Sequence, residues 1–169
     1  MNYDTFSAKP LTETWNTSRN GEYMLRKAEE IGVNRKLLVA AACECVRLAL
    51  KFVPEGEERP RHAIEVTEAW CRGEVGIEKV KEAAKEAYAA ASASAYAHAY
   101  AAHAYAAHAA SAAASASAYA ASAAASASAA YDNKERLRAL ALCAKIVRKH
   151  IPLDVMLVAD SEWRLGRVA

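Results

Sequence analysis

The side chains best placed to do chemistry gather in one short run, Glu58-Arg59-Pro60-Arg61-His62-Ala63-Ile64-Glu65. Arg59 and Arg61 at the start of a helix would form an anion-recognising fork. The free N–H groups and positive dipole end of a helix N-terminus favour negative charge at that place. The same charges also suit plain helix-surface pairing: Arg61 with Glu65, and Glu68 with Arg72, stand four residues apart on one face. A second group is aromatic. Tyr96, Tyr100 and His103 follow spacings of four and three, so on a helix they stack along one side together with Tyr88. Such a ridge either fills a helix seam or forms a platform for a planar ligand such as a nucleobase. The platform needs a cation, which Arg59, Arg61 or Arg148 would have to supply.

Other reactive residues are poorly arranged. His98, His103 and His108 recur every five positions, about 140° apart on a helix, so they do not converge on one metal. Cys43 and Cys45 point about 200° apart, which disfavours a shared metal or a mutual disulfide. The four cysteines, with Cys71 and Cys143, read as small buried side chains in a reducing compartment. There is no nucleophile elbow, phosphate-binding glycine loop or His-Glu-x-x-His helix. The expectation is a protein without catalytic residues, metal or cofactor.

The elements that must position these residues are helices. Asn20-Gly21 marks a break, 22–31 is helical, and Gly32 sits just past its end. Asn34 caps a helix over 35–53, stopped by Pro54, with Leu38, Ala41, Cys45, Leu48 and Phe52 as its buried stripe. Residues 55–58 form a turn. Pro60 opens the next helix, which runs to Arg72 before Gly73, and Ile77 opens a long one. Asp132 or Asn133 caps an amphipathic helix over 132–152, with Leu137, Leu140, Ala144, Val147 and Ile151 as its stripe and Pro152 as its stop. A short C-terminal helix over 153–159 follows. Residues 1–20 read as an N-terminal arm, and the whole of 1–169 as one domain.

The stretch 87–131 contains only Ala, Ser, Tyr and His, and none of the 22 basic or 20 acidic residues. Its strict alternation resembles a strand, but alanine is the best helix former and no β-branched residue occurs, so helix wins. An unbroken helix over 77–131 would span about 80 Å, too long for a compact domain, so a break near 111–117 and an alanine-rich hairpin are expected. A membrane span is disfavoured because the stretch lacks Leu, Ile, Val and Phe. An ice-binding helix would show a row of threonines, and there is none. Leu, Ile, Val and Phe number 30 of 169 residues, which would fit disorder only if net charge were high, and it is +2. That small charge gives no field for nucleic acid or anionic lipid. No basic-then-apolar leader pattern opens the chain, so a cytoplasmic location is expected. The fold class is all-α: a multi-helix bundle with a long alanine-rich helical hairpin.

The run from Val53 through Glu65, then Glu68-Ala69-Trp70 and Arg72-Gly73-Glu74, resembles the immunity-protein family of bacteria and phages. Members share an acidic-Arg-Pro-Arg start, an Ala-Ile-Glu centre, an Ala-Trp…Arg-Gly-Glu end and a following Ala/Tyr-rich stretch. Residues 32–39 and 143–152 also resemble phage members, and the likeness covers roughly 20–152. The alanine tract here carries more Ser and His than the Tyr-dominated tracts of those relatives. The resemblance implies an all-helical, non-enzymatic binding protein, phage- or bacteria-encoded, that neutralises a toxin or immune component by stoichiometric occlusion. Two alternatives stand beside it: a sponge for a nucleotide-derived immune signal, and a structural, self-assembling helical protein that would be a homo-oligomer. The residues expected to contact a partner are Arg59, Arg61, Glu65 and Trp70, with Tyr96, Tyr100, His103 and Arg148 as a second group.

Overall fold

A computed structural model describes residues 10–93 and 133–166, and these form seven α-helices and no strand. In chain order they are α1 (Leu11–Thr17), α2 (Gly21–Glu30), α3 (Arg35–Arg47), α4 (Arg59–Arg72), α5 (Ile77–Ala93), α6 (Asn133–His150) and α7 (Leu153–Gly166). The all-α expectation is met. The chain punctuation also works as its chemistry requires. The side chains of Asn20 and Asn34 accept the otherwise unpaired N–H groups of Tyr23 and Lys36, at 3.0 and 2.9 Å, and so start α2 and α3. Gly32 and Gly73 take left-handed φ values of +81° and +82° just past α2 and α4, where a side chain would be strained.

α3 organises the interior because it is apolar on two sides. Leu38, Ala41 and Cys45 face a first core with Trp15 of α1, Met24 and Leu25 of α2, Val147 of α6 and Met156 of α7. Val39, Ala42, Cys43 and Val46 face a second core with Ala63 and Ile64 of α4 and Val80, Ala83, Ala84 and Ala87 of α5. A helix buried on both sides serves as the partition between two packing layers. The spacing of α5's apolar residues, at three and four, turns small methyl groups toward α4. Thr67 is fully buried at that seam and satisfies its hydroxyl by donating to the Ala63 carbonyl at 2.7 Å.

Several sequence boundaries shift. α3 ends at Arg47, and a 3₁₀ turn over Leu50–Phe52 carries the chain to Val53, so the expected helix to 53 is shorter. The stripe along α3 holds for Leu38, Ala41 and Cys45, but its other side is buried as well; the Phe52 side chain lies outside the described residues. In α6, Leu140, Ala144 and Val147 are buried and Ile151 just beyond it, while Leu137 is 60% exposed. α7 continues to Gly166 rather than 159. The supposed arm contains α1, whose Trp15 is only 1% exposed. Beyond Ala93, the expected hairpin and its break at 111–117 lie outside the described residues. Among the described residues no helix is long and apolar enough to cross a membrane.

Cys43, Cys45 and Cys143 are buried and Cys71 is half-buried, all as free thiols. Burial pushes the Cys43 thiol well up. A bond with Cys143, and then burial, does the same for Cys45. Burial pushes Cys71 up to about 11. The folded state therefore holds these protons more tightly than the unfolded chain, whose thiols ionise near 9.0. Their contribution to stability is complete below that value and is lost as pH rises from about 9 through the folded-state values, so the thermal midpoint should drop from about pH 9 upward. At about pH 8, a maleimide should label Cys71 well before the three buried thiols, as peptide mass mapping would show.

Candidate interaction surface

α4 presents the residues singled out by sequence, with its back locked into the second core. Ala63, Ile64 and Thr67 are buried, while Arg61, Glu65 and Arg72 are exposed and lie within about 40° of each other on the opposite side of the helix. Pro60 fits the first turn, where its missing N–H leaves nothing unpaired.

The arginines do not form an open fork. The Glu57 carboxylate accepts from the Arg59 backbone N–H at 3.1 Å and from its Nε at 2.8 Å, and its other oxygen takes Nη2. Arg61 donates to Glu58 at 3.1 Å. The expected pairs Arg61–Glu65 and Glu68–Arg72 give way to others. Glu68 instead accepts two parallel bonds from Arg47 of α3, at 2.9 and 2.8 Å, and Arg72 binds Glu74 across the Gly73 turn at 2.6 and 2.8 Å. For Glu68 and Arg72, two-point guanidinium–carboxylate contacts win over the single bond that the expected spacing allows, whereas Arg61 exchanges one single helix-surface bond for another. The bonds to Glu68, with the Glu65 charge beyond, hold the Arg47 guanidinium more firmly protonated. At the far end of α4, Trp70 is half-buried against the second core, and the ammonium of Lys36 on α3 stands 5.8 Å from its ring centre.

Arg148 sits elsewhere. Its Nη1 donates to the carbonyls of Trp15 and Ser18, both at 2.9 Å, and lies 3.6 Å from the sulfur of Met24. It thus closes the C-terminal end of α1, where a cation meets unpaired carbonyls and the negative end of the dipole. Arg59 and Arg61 are on α4, beside the second core, so the three arginines do not converge. Arg148→Met should cost about 1–3 kcal/mol in a urea titration, because it strands part-buried carbonyls. It should leave partner affinity unchanged. Tyr96, Tyr100 and His103 lie outside the described residues.

A further charged group, like the Arg47–Glu68 contact, is not foreshadowed by the sequence. Glu44 of α3 accepts from Lys149 at 2.9 Å and meets His150 Nε2 at 2.5 Å, which ties α3 to the end of α6. The bond from Lys149 leads in holding the Glu44 carboxyl below its usual range. Its partners are more than a hundred positions away, where no spacing rule reaches; the local signal, Glu44 three residues before Arg47, points to a pair that does not form. Among the described residues no three His, Cys, Asp or Glu side chains are grouped to hold a metal.

The model of the family described as "Imm-5 like putative immunity protein" matches residues 32–146, from the end of α2 through α3, α4 and α5 into α6. No curated protein and no solved structure matches. The matched span takes in more than half of the chain and the whole outward side of α4, and the chain belongs to the Imm-5-like immunity protein family.

Proposed function

We propose that this chain neutralises a protein toxin or immune effector by binding it one to one through the outward side of α4. The observation that carries the reading is the display of Arg61, Glu65 and Arg72 on one side of a helix whose other side is fixed in the core. The display is ordered before any partner arrives, so binding loses little to side-chain and loop ordering. The internal partners Glu58 and Glu74 sit in water, where such pairs are worth about 0–1 kcal/mol, so a partner's groups can replace them at small cost. Trp70, half-buried at the margin, supplies an aromatic anchor of the kind that dominates interface energies. Family membership supports the immunity role, and occlusion requires no chemistry of the chain itself.

The test is a growth assay in which this chain is co-expressed with each member of a panel of bacterial toxin domains. Growth should be restored against at least one. Arg61→Glu with Arg72→Glu should abolish that rescue and weaken binding by about thirtyfold or more, with circular dichroism unchanged. Full rescue by the double variant, or no rescue by the native chain anywhere in the panel, overturns the proposal.

A further inference from the structure

A second surface lies on the far side of α3 from α4. A groove of about 450 Å³ runs between the α2–α3 turn and α7. Val33, Val155, Val158 and Ala159 line it with apolar side chains, and Asp154 and Glu162 line it as well. Val158 is 58% exposed, a β-branched side chain left in water on a helix whose neighbours Met156 and Ala159 are buried. The two carboxylates are eight residues apart on one helix, or about 12 Å along its axis, on the same side as the valines. Neither has an ion-pair partner among the described residues, whereas Asp160 on the same helix is paired with Arg164. The nearest cation on the same helix, Arg164, is taken by Asp160 at 2.8 Å. Asp154 gains from its place in the first turn, but Glu162 lies toward the negative end of the dipole and gains nothing from it. In a chain of net charge +2, this is an acidic frame around an exposed apolar strip.

We infer that the α7 groove docks a basic amphipathic helix of a partner protein, with two Lys or Arg side chains about two turns apart meeting Asp154 and Glu162 and small apolar residues between them covering Val155 and Val158. α7 lies outside the family-matched span, while Gly32, Val33 and Asn34 on the other wall of the groove lie within it. The groove is separate from α4, and its failure leaves the reading of that helix intact.

The probe is a fluorescent helical peptide of about 18 residues with lysines eight positions apart around an Ala/Leu strip, followed by anisotropy with the full chain. Saturable binding is expected, weakening with salt. Asp154→Lys with Glu162→Lys should weaken it by about tenfold and confer binding of the same peptide carrying Glu in place of Lys. Val158→Ser, which removes the apolar contact without adding charge, should weaken the lysine peptide as well. All three residues are exposed, so the fold should persist, as circular dichroism would show. Absence of saturable binding, indifference to the charge reversal, or equal binding of a scrambled peptide of the same composition overturns the inference.

Discussion

Trp15→Ala should lower stability by about 3–5 kcal/mol, the usual cost of deleting a fully buried large aromatic side chain. A domain of this size has about 5–15 kcal/mol in all, so the urea midpoint should fall by a large fraction. Two effects combine. The ring, 1% exposed, fills the junction of α1 with α2, α6 and α7, and its Nε1–H donates to the Ile151 carbonyl at 3.2 Å, just past the end of α6. Removing it opens a cavity and leaves a buried carbonyl unpaired. Trp15→Phe separates the two: it keeps most of the ring, loses the hydrogen bond, and should cost about 1–3 kcal/mol. The backbone carbonyl of Trp15 also accepts from Arg148, so deletion of residues 1–20 removes both partners of the α6 end. That truncation should unfold the chain rather than trim it, and loss of cooperative melting would show this.

Gly21→Ala should be the most damaging glycine-to-alanine change in the described chain. A Cβ at this position would lie 2.4 Å from the Cβ of Cys143, 2.6 Å from its carbonyl carbon and 2.7 Å from the Ala144 nitrogen. Two of those three atoms are backbone, so α2 and α6 must separate; overpacking of this kind costs about 1–3 kcal/mol or more. Helix propensity alone predicts the opposite sign, a gain of up to about 1 kcal/mol, because alanine is the better helix former. Gly76→Ala, where nothing lies within 4 Å, is the control and should change stability by less than about 0.5 kcal/mol. Differential scanning calorimetry of the two variants decides between packing and propensity.

These residues also show what the sequence displays and what it hides. Asn20, Asn34, Pro60, Gly32 and Gly73 act within their own turn of helix, and their positions predict helix ends to within a residue or so. Gly21 reads as a break, yet it is the first residue of α2, because its role is the close passage of α6, over a hundred residues away. Leu11 and Trp15, four apart, are the two bulky apolar residues of α1, too few to mark a helix by pattern although they anchor it in the first core. The stripe through Leu38, Ala41 and Cys45 is legible, whereas the second one through Val39, Ala42 and Val46 gains meaning only once α4 and α5 cover it. For the candidate surface, the grouping of Arg59, Arg61, Glu65 and Trp70 on one helix is local and readable. The choice of Arg47 by Glu68, and the use of Arg148 to close α1, are tertiary and are not.

Stoichiometric occlusion through α4 is the proposed mode of action. The most direct test titrates the activity of the toxin that this chain rescues in the growth assay against increasing amounts of the purified protein. Activity should fall in a straight line and vanish at a molar ratio of one, and the Arg61→Glu, Arg72→Glu variant should leave it untouched across the same range. Complete loss of activity at a small fraction of one equivalent would mean that the chain turns over its target, and would contradict occlusion.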